Sequence, residues 1–261
     1  MPRSGSTWLG SIIDSHPSIS YKMQPLFSYS LKGYLDDYSN YSRIQSFKNQ
    51  LLNTESDFID QIEKKKRNII PVFKKSTPKV VAYKETRYHY ILENLLRTDK
   101  ESYVVCLIRN PLAHLYSWLN APKEFRHELG WKIEEEWLLA PKKNQGRAEE
   151  YYGYQKWKET TIMFHSLQKA YPDRCLIINY SDLLRTPMQK ALHIFSFLGL
   201  QIHQQTKEFI KESRSKNDKD PYGVYKDKKE DNSWQGKLPG YIVDYVQNDL
   251  AGTRLESYIT S

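Results

Sequence analysis

The sequence predicts an α/β fold with a central, mainly parallel sheet flanked by helices. Three observations carry this. Three short apolar runs of strand length, at 80–84, 103–108 and 175–180, are each bounded by polar or turn residues. Helical stretches lie between them, at about 88–97, 111–120 and 147–170. The chain also opens on a turn suited to an anion that runs straight into a helix. Strands alternating with helices build a parallel sheet, and such sheets take ligands at the carboxyl ends of their strands.

In chain order, Leu9, Ile12 and Ile13 give the opening helix its apolar face. Pro17 disfavours helix at His16, so the helix stops there. Ile19 to Tyr21 is expected to be extended, and the aromatic-rich stretch 25–34 helical. A polar region follows, with a helix at 57–66 that ends in the basic run Lys64-Lys65-Lys66-Arg67. The last third is expected to be helical at 188–198, 205–212 and 241–251. A charged, flexible loop is expected at 213–232, where Pro221 and Gly223 interrupt a highly charged stretch. The whole of 1–261 is read as a single domain.

The bulk properties fit this. A chain of 261 residues, 39% hydrophobic and 13% aromatic, can bury a substantial core. Its net charge of +8 favours an anionic ligand. The positive charge is spread along the chain and no nucleic-acid-binding motif occurs, so nucleic acid is not the expected partner. Cys106 and Cys175 both sit in apolar runs, without metal spacing, and read as buried thiols; no metal is expected. No apolar run has the length of a membrane span and no signal peptide precedes the first motif, so a cytoplasmic location is expected. Oligomeric state is not legible.

The opening stretch, Pro2-Arg3-Ser4-Gly5-Ser6-Thr7-Trp8-Leu9, combines a glycine for close backbone approach, hydroxyl donors and a helix N-terminus. Read alone it is equally a capped helix start. A turn of this kind normally hangs from a buried strand, and only Met1 precedes Pro2. The first strand is therefore expected to lie before Met1, the start being placed late or the chain a fragment; the alternative is that the strand is absent. A second candidate is Arg109, at the carboxyl tip of the 103–108 run, with Pro111 opening a helix that carries Ser117. Arg109 is a planar cationic fork suited to phosphate, and Ser117 can add a hydroxyl. Alone, they read as an ion-pair partner and an ordinary helix residue.

Together these motifs resemble the sulfotransferase family. The linking segments are similar too: Ser15-His16-Pro17-Ser18-Ile19 with Gln24-Pro25-Leu26-Phe27, as in Golgi carbohydrate and bacterial members; Tyr180-Ser181-Asp182-Leu183 with Pro187 and Phe197-Leu198-Gly199-Leu200; and Ser233-Trp234-Gln235-Gly236-Lys237-Leu238-Pro239, as in tyrosylprotein sulfotransferases. The resemblance runs from residue 2 to about 250.

It implies a P-loop-like, three-layer α/β domain and an enzyme using 3′-phosphoadenosine 5′-phosphosulfate (PAPS) and a carbohydrate or small-molecule acceptor. Arg3, Ser4, Gly5, Ser6 and Thr7 would bind the 5′-phosphosulfate, with Arg3 where many members have Lys. Trp8 would stack on adenine, or else anchor the core. Arg109 and Ser117 would hold the 3′-phosphate, Tyr180 the adenine side, and Trp234 and Lys237 the C-terminal part of the nucleotide site. Lys226, Lys228 and Lys229 stand in for the family's basic loop. Arg3 and Lys84 would stabilise charge on the leaving bisphosphate. Many relatives carry Glu where this chain has Gln24, and an amide cannot act as a base. Glu85 is the best substitute, His89 a weaker one, and Gln24 would then orient the acceptor. Three alternatives stand beside this: a family member that binds nucleotide with little or no catalysis, a different P-loop enzyme, for which Gly5 lacks the following Lys, and a basic nucleic-acid-binding module.

Overall fold

The computed structural model describes residues 1–216, 223–225 and 230–260. They form two compact units, each assembled from separated stretches. One comprises Met1–Gly5, Val105–Pro187 and the described part of Lys228–Ser261; the other comprises Ser6–Val104 and the described part of Met188–Asp227. The main elements, in order, are helix α1 (Ser6–Asp14) and strands β1 (Ile19–Met23), β2 (Val80–Lys84), β3 (Val104–Ile108) and β4 (Cys175–Asn179), interleaved with further helices. The class is α/β, as expected, and the strands fall into two two-stranded sheets, β1–β2 and β3–β4.

In the unit built on Ser6–Val104, β1 and β2 pair in parallel, from Ile19 opposite Val80 to Met23 opposite Lys84. A parallel pair needs a long crossover. Here it carries the helix Tyr41–Asn53, capped by the Asn40 side chain, which accepts the Arg43 N–H at 2.9 Å. Ile44, Phe47 and Leu51 of that helix face Leu26, Leu31, Leu35, Ile59, Tyr88, Ile91 and Leu95 in one buried cluster. The Lys75 ammonium closes the carboxyl end of α1, bonding Asp14 Oδ1 at 2.7 Å and the Ile19 carbonyl at 3.0 Å.

In the other unit, β3 leads directly into the helix Pro111–Leu119. Pro111 occupies its first position, and the Asn110 side chain accepts the N–H groups of Leu112 and Ala113 at 2.9 and 3.2 Å. This fixes Arg109 at the strand tip. The helix Tyr154–Ala170 braces the same point, because the buried Trp157 indole donates to the Arg109 carbonyl at 2.9 Å. Cys106 and Cys175 are buried free thiols on neighbouring strands, their sulfurs 3.9 Å apart.

Several expected elements are corrected. Stretch 25–34 is helical only over Pro25–Phe27, a single 3₁₀ turn entered through Gln24 in a left-handed conformation. Its aromatics divide: Tyr34 packs on the core, while Phe27 and Tyr29 face solvent. The helix Tyr41–Asn53 was not foreseen, because polar residues cover most of its surface. Helix 57–66 is broken at Gln61, which is left-handed. The 147–170 helix starts only at Tyr154, after Gly153 at φ +87°. Tyr180 opens the short helix Tyr180–Arg185 rather than ending β4. Ser213 belongs to the helix Gln204–Ser215, so the expected 213–232 loop does not include 213–215; residues 217–222 and 226–229, with Lys226, Lys228 and Lys229, lie outside the described residues.

Candidate functional site

Within the unit built on β3 and β4, Arg3, Arg109, Ser117, Tyr180 and Asp231 converge. Arg109 is 7% exposed. Its Nε and Nη2 donate to the two carboxylate oxygens of Asp231 at 2.7 and 2.6 Å, a bidentate fork. Its Nη1 donates to the Arg3 carbonyl at 2.6 Å, and its cation lies 5.1 Å above the Tyr180 ring centroid. Burial works against its charge, but the Asp231 carboxylate more than offsets this and holds the guanidinium above its ordinary pKa. Arg3, itself left-handed at φ +56°, donates from Nε to Ser117 Oγ at 3.2 Å and lies 3.7 Å from Glu124. Ser4 is fully buried and turns its hydroxyl back on the Pro2 carbonyl at 3.4 Å.

Gly5 and His114 lie beside this cluster. Gly5 has φ +84° and lies against Tyr180, where a Cβ would come within 2.6 Å of the ring Cδ2. His114, fully buried on the helix Pro111–Leu119, is pushed down to about 3 by burial, with Arg109 and Arg3 adding to the effect, so it is neutral. Trp234 is half-buried in the turn before Gly240–Leu250, its carbonyl accepting the Lys237 N–H at 3.0 Å. The Lys237 ammonium lies 5.8 Å from the ring centroid of Tyr116, the neighbour of Ser117.

Within the unit built on β1 and β2, the strand ends gather Thr7, Gln24, Lys84 and Glu85. Lys84, the last residue of β2, donates from Nζ to Thr7 Oγ1 in the first turn of α1 at 3.2 Å. The Glu85 carboxyl accepts the Leu26 N–H on Oε1 at 2.8 Å, and its Oε2 is buried without a hydrogen-bond partner. Burial raises this carboxyl to about 8, against the lowering effect of that N–H and of Lys84 and Arg87. Gln24 extends the strand pairing through its N–H to the Lys84 carbonyl at 2.8 Å, and its amide oxygen accepts the Thr86 hydroxyl at 2.7 Å. Phe27 and Phe58, 38% and 43% exposed, stand beside this turn with ring centroids 6.0 Å apart. The Arg87 guanidinium lies 3.9 Å over Phe27. Trp8 donates its indole N–H to Ser213 Oγ at 3.0 Å. His89 is fully enclosed, and burial pushes its imidazole well down.

A family model described as a sulfotransferase domain matches residues 1–250. The chain belongs to the sulfotransferase family. Zebrafish (Danio rerio) carbohydrate sulfotransferase 1 is 37% identical over 79 residues, which cover 28% of this chain and 19% of that protein. The aligned segment is thus about a fifth of the relative's length. Among solved structures, mouse sulfotransferase SULT7A1 complexed with PAP aligns over 99% of this chain and 84% of its own, with a TM-score of 0.53 at 12% identity. The sulfotransferase domain of the Synechococcus PCC 7002 olefin synthase aligns over 91% and 86% of the two chains, at 17% identity and a TM-score of 0.48. The mouse structure supports the fold.

Of the residues singled out in this sulfotransferase sequence, Arg3, Arg109, Ser117 and Tyr180 meet in one unit, and Thr7, Lys84, Glu85 and Gln24 in the other. Arg3 points at Ser117, which the resemblance assigns to the other end of the nucleotide. His89 is a core residue. Asp231, Glu124, Ser213 and Thr86 were not foreseen. The signal for Ser213 was readable: it stands in the buried stripe Thr206, Phe209, Ile210 of its helix, where a polar residue needs a partner. Asp231 was hidden among charged neighbours.

Proposed function

We propose that this chain transfers a sulfuryl group from PAPS to a hydroxyl or amine of a carbohydrate or small-molecule acceptor. The observation that carries the reading is the Lys84–Glu85 pair at the end of β2. The ammonium is bonded to Thr7 at the start of α1, and the next residue holds an enclosed carboxyl, one oxygen of which is buried without a hydrogen-bond partner. A cation beside a helix N-terminus suits a leaving phosphate, and a carboxylate beside it suits an acceptor proton.

In this scheme Glu85, once ionised, takes the proton of the acceptor. The acceptor oxygen or nitrogen forms the new bond to sulfur as the bond from sulfur to the bridging oxygen breaks. The electron pair of that bond stays on the departing adenosine 3′,5′-bisphosphate, PAP. Lys84 and the N–H groups at the start of α1 stabilise its charge. Arg109 and Ser117 keep the role the family resemblance gives them, binding a 3′-phosphate. The exposed rings of Phe27 and Phe58 offer faces on which a sugar or aromatic acceptor can stack. A cytoplasmic setting remains the expectation from the sequence; no helix among the described residues is long and apolar enough to cross a membrane.

One observation favours a second reading, a nucleotide-binding member with little catalysis: Gln24 holds an amide, tied to Thr86, where the family resemblance leads one to expect a carboxylate. Turnover of radiolabelled PAPS against a panel of acceptors separates the two. Labelled product that disappears in Glu85→Gln supports transfer. Tight bisphosphate binding with no product across the panel supports the second reading.

A further inference from the structure

Arg109 cannot stand alone. Its side chain is 8% exposed, and a buried cation without a counter-charge is strongly destabilising. Some anion must fill its fork in every state of the protein. In this structure that anion belongs to the chain: Asp231, whose side chain is 2% exposed, meets Nε and Nη2 with one carboxylate oxygen each. Two oxygens of a phosphate present nearly the same spacing to a guanidinium as a carboxylate does. A phosphate and a carboxylate on the same two N–H groups would place like charges in contact in a poorly solvated site.

We propose that Asp231 is a built-in stand-in for the 3′-phosphate of the nucleotide. Its carboxylate occupies the Arg109 fork when no nucleotide is bound and leaves the fork when the phosphate enters. The inference rests on the reading that Arg109 binds the 3′-phosphate. It adds that nucleotide affinity is set by competition within the chain. The stand-in keeps Arg109 charged, aligned against Tyr180 and tied to the Arg3 carbonyl while the site is empty, at the cost of weaker nucleotide binding. Selectivity follows, because only a ligand carrying a second anionic group at that position can displace Asp231.

The test is calorimetric titration of the full chain and its Asp231→Asn and Asp231→Ala variants with adenosine 3′,5′-bisphosphate and with adenosine 5′-phosphate, which lacks the 3′-phosphate. Asp231→Asn keeps the shape of the side chain and guards against a variant that fails to fold. Both variants are expected to bind the bisphosphate about tenfold more tightly, with adenosine 5′-phosphate changed by less than about twofold. Without ligand both variants melt lower than the wild type, and saturating bisphosphate removes the deficit, because the phosphate then supplies the missing charge. Unchanged or weaker bisphosphate binding by folded variants overturns the proposal: Asp231 then stays on Arg109 as a fixed orienting partner, and nucleotide binding itself stands. If the wild type and both variants bind neither nucleotide, the reading of the site fails together with the proposal.

Discussion

The ring of Tyr180 packs against Gly5, leaving no room for a side chain there. Gly5 has φ +84° and a Cβ would run into the ring. Gly5→Ala therefore combines backbone strain with a clash, a cost of about 1–3 kcal/mol or more. The variant is expected to melt lower than the wild type, and saturating bisphosphate to stabilise it less. A Gly5→Ala protein with wild-type melting and binding would contradict the close packing of turn and ring.

Glu85 yields a prediction about rate. Its carboxyl is raised to about 8, mainly by burial, so it is mostly protonated at neutral pH and becomes a competent base as pH rises through that value. At limiting acceptor, kcat/KM should climb up to about pH 8 and then level off. Glu85→Gln should lower kcat/KM by about 10²–10⁴-fold and remove that limb of the profile. A pH profile unchanged in the variant would assign the base elsewhere.

The same residue makes a prediction about stability, with a definite sign. The folded protein keeps the Glu85 proton between the ordinary carboxyl value of 4.5 and about 8, while the unfolded chain releases it. The stability contributed by neutral Glu85 is thus present at low pH and lost as pH rises through this window. Glu85→Gln, which cannot ionise, should match the wild type near about pH 4 and exceed it near about pH 9 in denaturant melts. The opposite order would mean that the carboxylate is stabilised in the fold.

Trp8 depends on Ser213 for its orientation, the hydroxyl accepting the indole N–H at 3.0 Å. Ser213→Ala is expected to cost about 1 kcal/mol of stability by leaving that donor without its partner. If Trp8 stacks on adenine, Trp8→Ala weakens bisphosphate binding by about 1–3 kcal/mol in titration calorimetry. Wild-type affinity in Trp8→Ala would leave the indole as a core anchor only.

The α/β class, the strands at 80–84, 104–108 and 175–179, and the helix after Arg109 were legible because each rests on local signals: an apolar run, a turn residue, Pro111 after Asn110. The helix Tyr41–Asn53 was not, since it buries only Ile44, Phe47 and Leu51 on one narrow face of a polar sequence. Lys84 and Glu85 were readable from their place at a strand tip, but the enclosure of the Glu85 carboxyl was not, because it depends on Leu26, far away in the chain, whose N–H takes Oε1 and leaves the buried Oε2 without a partner. Arg109 was readable as an anion-binding fork. That Asp231 would fill it was not, because the two are separated by 122 positions and nothing local to Asp231 distinguishes it from other acids in a charged stretch.

In the proposed reaction Arg109 and Ser117 read the 3′-phosphate of an adenine nucleotide. The most direct test is the melting temperature of the wild type and of Arg109→Ala with saturating adenosine 3′,5′-bisphosphate or with ATP. A clear rise is expected for the wild type with the bisphosphate, little with ATP, and none for a folded Arg109→Ala. No rise with the bisphosphate, or a larger one with ATP, would contradict it.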